Sequence, residues 1–200
     1  MNNRVILSLV AFFIACSTWT VQAQKNKEVN MKTSKILVAY FSVTGTTENV
    51  AKNIAEITNG ELYKIVPSKS YTNADLDWND KKSRSSVEMN NPQSRPALKS
   101  KMDNIQKYDI IFLGYPIWWN LSPRIINTFI ESHVLKGKML IPFATSGGSS
   151  IANSVKILKR TYPELDWKEG KLLNRTDKDG LRVWIESVSY THLRAHETLA

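Results

Sequence analysis

Two hundred residues with 42% hydrophobic content suffice for one domain with a sizeable core. A formal charge of +9 raises nucleic acid as a partner, but the lysines (Lys64, Lys69, Lys81, Lys99, Lys107, Lys136, Lys156, Lys171) are scattered, with no aromatic-interleaved stripe, so a solvated basic surface is the better reading and no nucleic acid is expected. The single cysteine, Cys16, leaves no basis for a disulfide framework or a Cys–His metal centre.

The chain opens on Met1-Asn2-Asn3-Arg4, with one positive charge, followed by an apolar stretch over 5–15 and the small-residue pattern Val21-Gln22-Ala23. That order reads as a secretory signal peptide over 1–23, cut before Gln24, followed by a leader over 24–34. The apolar stretch is short of the roughly 20 residues that span a bilayer. The expectation is therefore an exported, periplasmic protein. Two alternatives stand beside it: Phe13-Ile14-Ala15-Cys16 as a lipoprotein box anchoring the chain at Cys16, and a start at Met31 that would leave it cytoplasmic.

Ile36-Leu37-Val38-Ala39-Tyr40-Phe41 reads as a buried strand. Ser42-Val43-Thr44-Gly45-Thr46-Thr47 follows, then a helical pattern over 47–58 with Val50, Ala51, Ile54, Ala55 and Ile57 on one side and Gly60 as the stop signal. A strand, a hydroxyl-rich turn around one glycine and a helix start make an anion cradle. The first N–H groups of a helix have no internal partner and carry partial positive charge, and both favour a phosphate. The hydroxyls of Ser42, Thr44, Thr46 and Thr47 add hydrogen bonds, and Gly45 permits a tight turn and close approach. The same residue types also serve as ordinary helix caps. The turn has neither the lysine of a nucleoside-triphosphate loop nor the G-x-G-x-x-G of a dinucleotide fold, so a single phosphate monoester suits it best.

Leu62-Tyr63-Lys64-Ile65-Val66 is the second expected strand, ended by Pro67. Residues 68–98 are polar and aperiodic, and so long an irregular stretch in a compact domain is usually functional. It holds Tyr71, Asp75, Asp77, Trp78, Arg84, Glu88 and Arg95-Pro96. Asp75, Asp77 and Asp80 lack the glycine and final glutamate of a calcium loop, so no metal is expected. Asp109-Ile110-Ile111-Phe112-Leu113 is a third strand, leading into Gly114-Tyr115-Pro116-Ile117-Trp118-Trp119-Asn120. Its two indoles could stack on a flat heteroaromatic ring or simply join the core. A helix over 123–133 follows, with Ser122 as cap, Pro123 as first residue, an apolar face of Ile125, Ile126, Phe129 and Ile130, and a structural role for His133.

Met139-Leu140-Ile141-Pro142-Phe143-Ala144 is a fourth strand, followed by Thr145-Ser146-Gly147-Gly148-Ser149-Ser150, where the glycines allow close backbone approach or mark only a turn. A helix over 151–162, a short strand at Gly170-Lys171-Leu172-Leu173 and a helix over 177–188 complete the pattern. Residues 189–200 resemble translated adapter sequence and carry two of the three histidines, which are left out of any chemistry. Strands alternating with helices predict an α/β fold, a doubly wound parallel sheet with helices on both faces. In such sheets ligands bind beyond the carboxyl ends of the strands, where all three loops lie. No G-x-S-x-G elbow is present, which argues against a hydrolase of that kind.

The stretch from Val38 to Ile54 resembles the phosphate loop of flavodoxins: Val38, Tyr40, Ser42, Gly45, Thr47, Ala51 and Ile54 match the family signature, and Ala39 is a small departure. The two later loops fall in the family's order, and the resemblance covers about residues 35–188. It looks nearest to a short-chain flavodoxin-like subfamily with a Pro-x-Trp-Trp second loop and a Gly-Gly third loop. It implies a five-stranded sheet of order 2-1-3-4-5 and FMN as cofactor. It implies phosphate contacts from Ser42, Val43, Thr44, Gly45, Thr46 and Thr47. Ring contacts would come from Pro116, Ile117, Trp118, Trp119, Asn120, Thr145, Ser146, Gly147 and Gly148. Long-known flavodoxins carry a third-loop tyrosine over the flavin; none stands in 145–150, which implies a more open site. The segment 68–98 is expected near the flavin edge or as an extra helix around 82–89.

The function expected is FMN-dependent electron transfer to a redox partner protein or small acceptor, with no side chain needed as acid or base. The alternative is an NAD(P)H-dependent quinone or nitro-compound reductase, without a nicotinamide motif to support it; a non-redox binding module is a third reading.

Overall fold

The structure, a computed structural model, describes residues 34–174 and 177–197, with side chains as far as Val188. The expected signal peptide over 1–23 and, apart from Ser34, the leader over 24–34 lie outside the described residues. The elements are β1 (Ile36–Tyr40), α1 (Thr46–Thr58), β2 (Glu61–Lys64), α2 (Arg84–Asn90), β3 (Ile110–Pro116), α3 (Arg124–Glu131), β4 (Met139–Thr145), α4 (Ala152–Thr161), β5 (Asp166–Trp167), β6 (Lys171–Leu172) and α5 (Lys178–Glu197). The backbone of α5 runs past Val188 into the tail; the tail's side chains and residues 198–200 lie outside the described part.

All pairings are parallel, in the expected order β2-β1-β3-β4-β5, with β6 also on β4. The central strands β1, β3 and β4 are covered on both faces, which is why they read as unbroken apolar runs rather than alternating ones. Side chains still alternate: Ile36, Val38 and Tyr40 face α1 and α5, with Ile54, Leu181, Trp184 and Ile185. Leu37, Ala39 and Phe41 face the opposite layer, with Ile125, Phe129, Val155 and Leu158 of α3 and α4.

The fifth strand position is split between β5 and β6, and Pro142 accounts for the break. Met139 donates its N–H toward β3, whereas the carbonyls of Leu140 and Ala144 accept from Lys168 and Leu173 on the edge side. Pro142 shares that edge-facing set, so its missing N–H falls where the edge strand is interrupted between Trp167 and Lys171. Gly170 sits in the gap, where a Cβ would stand 2.8 Å from Val155 and 3.2 Å from the Pro142 carbonyl.

Several boundaries differ from those expected. Asn59, not Gly60, takes the left-handed position ending α1 (φ 51), and Gly60 is needed instead because a Cβ there would stand 2.9 Å from the Thr58 hydroxyl and 3.0 Å from Ile36. Ser122 does not cap α3; extended Pro123 (ψ 143) is the capping residue, so the helix starts one residue later. The second strand starts and ends earlier than expected, at Glu61–Lys64. His133 is structural, as expected: its Nδ1 faces the Phe129 carbonyl at 2.7 Å and its Nε2 accepts from the Met102 N–H at 3.0 Å.

Gly114 lies where the ring of Phe143 crosses β3, and a Cβ there would stand 2.1 Å from the ring. Gly114→Ala is therefore expected to destabilise the domain by about 1–3 kcal/mol, as overpacking typically does. Phe143→Leu in the same chain should recover part of that loss, both read as shifts in the urea midpoint.

Candidate functional site

The register levels the ends of the central strands: Tyr40 lies beside Gly114 and Pro116 beside Thr145. The three loops predicted to carry function therefore emerge at one edge of the sheet, beyond its carboxyl ends.

In the first loop, Gly45 adopts φ 89, which opens the turn into α1. The Ser42 hydroxyl accepts from the Gly45 N–H at 3.1 Å, so Ser42 shapes the loop from within. Thr47 is buried and its hydroxyl meets that of Thr145 at 2.8 Å, tying the first loop to the third. Thr44 and Thr46 are exposed, with their hydroxyls 3.3 Å apart. No side chain caps α1, so its 13 residues present their first N–H groups toward the loop. Glu48, in the first turn, would repel an anion, but Lys52 and Lys64 hold its two oxygens at 2.9 and 2.8 Å. These bonds bring its carboxyl down to about 2. Burial, reinforced by Glu48, pushes the Tyr40 hydroxyl up to about 12.

The second loop makes a two-residue turn. Trp118 and Leu121 exchange both backbone hydrogen bonds at 2.9 Å, and the two residues between them, Trp119 (φ 46) and Asn120 (φ 62), are both left-handed. That is the backbone of a tight hairpin turn, normally given to glycine and asparagine. A tryptophan there is strained, a state that persists only where the surroundings enforce it. Asn153 of α4 donates to the Asn120 carbonyl at 3.1 Å and holds the turn. The two indoles have different environments. Trp118 is half-buried and packs edge-on against Phe41 (5.6 Å between ring centres) and Tyr71 (5.4 Å), whereas Trp119 is 44% exposed.

In the third loop, the Ser146 hydroxyl accepts from the N–H groups of Gly148 and Ser149 at 3.1 and 2.8 Å. Asn174 clamps Ser146 from both sides, its amide accepting from the Ser146 N–H and donating to the carbonyl, each at 2.7 Å. Nothing in the sequence marks Asn174, which lies 28 residues away. Gly147 and Gly148 are exposed, and a Cβ on either would meet nothing within 4 Å.

The segment after β2 is an excursion closed at its neck, where Ser68 bonds Ala97 and Lys99 bonds Val66, each at 2.8 Å. The short helix α2 lies within the stretch where an extra helix was expected, and it begins with Ser83 accepting from the Ser86 N–H at 3.3 Å. Tyr71 donates to Glu88, Arg84 holds the other Glu88 oxygen at 2.6 Å and also the Lys69 carbonyl at 2.7 Å, and the Arg84 guanidinium lies 4.0 Å over the Tyr71 ring. Burial and Glu88 push the Tyr71 hydroxyl well above its ordinary value, so it stays a donor. Asp75, Asp77 and Asp80 are engaged locally, with Thr72, Asn79 and Lys82.

The first two loops and the excursion line a cavity of about 430 Å³, within the range of small-molecule sites. Ser42, Val43, Thr44 and Thr47 line it from the first loop, and Pro116, Ile117, Trp118 and Trp119 from the second. Leu76, Trp78 and Ser85 line it from the excursion, and no lining residue is charged. Of the predicted residues, Gly45, Thr46, Asn120, Thr145, Ser146, Gly147 and Gly148 lie outside the cavity wall itself. Leu76 and Ser85 were missed because an aperiodic polar stretch gives no sign of which residues turn inward. Among the described residues no group of His, Cys, Asp and Glu could hold a metal, and no helix is long and apolar enough to cross a membrane.

A doubly wound parallel sheet with a hydroxyl-lined helix start beside an aromatic-walled cleft defines a flavodoxin-like α/β protein. The chain belongs to the flavodoxin family, whose model matches residues 35–188. It is 63% identical to a protein of Bacteroides eggerthii DSM 20697 assigned as a flavoprotein, with a TM-score of 0.77 over 78% of this chain and 98% of the other. A second such protein, from Bacteroides uniformis ATCC 8492, is 57% identical, with a TM-score of 0.75 over 76% and 98%. A flavoprotein of Lactobacillus acidophilus NCFM, solved in complex with FMN, shares the fold at 22% identity, with a TM-score of 0.60 over 76% and 99%. No curated protein matches the chain.

The Glu48 carboxyl titrates far below its ordinary 4.5 when folded, so its contribution to stability is complete above that value and is lost as pH falls through about 2. Acid unfolding of Glu48→Gln should accordingly show a shallower loss of stability between pH 4.5 and 2 than the parent chain, read from urea midpoints across that range.

Proposed function

We propose that this protein binds FMN in the cavity between its first and second loops and works in electron transfer. The observation that carries the reading is the joint arrangement: an uncapped start of α1 with exposed Thr44 and Thr46, next to an uncharged cleft walled by Trp118 and Trp119. An anion fits the first part and a flat heteroaromatic ring the second. No lining carboxylate would repel the phosphate, and the one in the first turn is paired with lysines.

In this reading Thr44, Thr46 and the backbone from Gly45 onward hold the phosphate. Ser42 and Thr47, occupied within the protein, keep the loop in shape. Pro116, Ile117, Trp118 and Trp119 hold the ring, and Ser146, Gly147 and Gly148 offer backbone at its edge. When bound, FMN supplies reversible acceptance of electrons, and the residues bind, orient and screen it. A second reading, reduction of quinones or nitro compounds by NAD(P)H at the same cofactor, draws support from the exposure of Trp78 and Trp119 at the mouth. Export to the periplasm rests on the pattern of residues 1–23.

FMN should bind more tightly than riboflavin. Thr44→Val with Thr46→Val should weaken FMN about a hundredfold, in keeping with two hydrogen bonds to a charged group at about 1.5 kcal/mol each, and leave riboflavin unchanged. Equal affinities for the two flavins in the parent chain would remove the phosphate from the reading. Anaerobic mixing of the FMN-loaded protein with NADPH separates the two functions: a flavin band that bleaches only when a separate reductase is added is the expected outcome for a carrier, whereas direct rapid bleaching favours the reductase.

A further inference from the structure

Among the described residues, Trp78 is the most exposed large apolar side chain, at 72%. It shares the wall of one cavity with two others, Val43 and Trp119. A single exposed apolar side chain is ordinary, but apolar side chains gathered at one mouth mark a binding site. The backbone around Trp78 is pinned. Leu76 ends a 3₁₀ turn in which the Asp75 carboxylate accepts from the Thr72 N–H and hydroxyl at 2.9 Å each. On the other side, the Asp77 carboxylate accepts from the Asn79 N–H at 2.9 Å, and the Asp80 N–H donates to the Asp77 carbonyl at 3.2 Å. The backbone that carries Trp78 is thus held on both flanks, and its indole takes no part in the ring cluster of Phe41, Tyr71 and Trp118. The third loop has no aromatic residue to cover a bound ring.

We infer that Trp78, delivered by the excursion after β2, is a ring-stacking residue of this site, covering the isoalloxazine at the cavity mouth. The inference rests on the FMN reading and assigns the excursion a part in binding. An indole stacked on the ring acts on the ring alone, so it contributes equally to FMN and riboflavin, and as an electron-rich partner it quenches the flavin's emission.

The test is titration of FMN and of riboflavin, followed by flavin fluorescence, with the parent chain, Trp78→Phe, Trp78→Ala and the exposed Val134→Ala as a remote control. Because Trp78 is so exposed, its removal should leave thermal unfolding unchanged. Trp78→Ala is expected to weaken both flavins by the same threefold to tenfold and to raise the emission of the bound flavin, the scale of an aromatic pair. Trp78→Phe should retain most of the affinity, and Val134→Ala all of it. Unchanged affinity and emission in Trp78→Ala would overturn the assignment, as would a loss confined to FMN. Failure of the parent chain to bind FMN would instead overturn the cofactor reading itself.

Discussion

Backbone pairing of β1 with β3 and of β3 with β4 is the constraint on which the site depends. These pairs bring Tyr40 level with Gly114 and Pro116 level with Thr145, so loops far apart in sequence leave the sheet at one edge. The register is held by burial on both faces, because a slip of one residue would exchange the side chains facing α1 and α5 with those facing α3 and α4. Gly114 and Phe143 show how closely the slab is fitted: the ring occupies the space that any side chain at 114 would need.

On that slab the first loop, the proposed phosphate site, is braced by bonds within the protein. Ser42 closes the turn, Gly45 supplies the left-handed backbone, and the Thr47–Thr145 bond joins two loops. These bonds occupy half of the four hydroxyls of the first loop and leave Thr44 and Thr46 at the surface. A loop braced in this way has less freedom to lose when a ligand binds. The strained Trp119–Asn120 turn serves the same end, since Asn153 and the Trp118–Leu121 pair hold it against its intrinsic preference.

The excursion between β2 and β3 is the longest connection between strands among the described residues. Its neck is sewn by backbone bonds, and its interior by the Tyr71–Glu88–Arg84 group, while Arg124 of α3 reaches the Met89 carbonyl at 2.9 Å. Through Tyr71 it joins the aromatic cluster with Phe41 and Trp118, and through Leu76, Trp78 and Ser85 it completes the cavity. A polar stretch is thereby built into the wall of an uncharged site.

Much was written locally in the chain. The apolar runs of β1, β3 and β4, the periodic faces of α1, α3 and α4, and the hydroxyl-rich turn at 42–47 each follow from near neighbours, because propensity and periodicity act over a few residues. Those features sufficed for the doubly wound fold and for the two loops that line the cavity. Tertiary structure alone decided the rest. It bound Thr47 to Thr145, set Asn174 against Ser146, divided the edge strand opposite Pro142, and turned Leu76 and Ser85 inward. Each joins residues distant in sequence, and only the packed chain brings such groups within the few ångströms over which hydrogen bonds and close packing act.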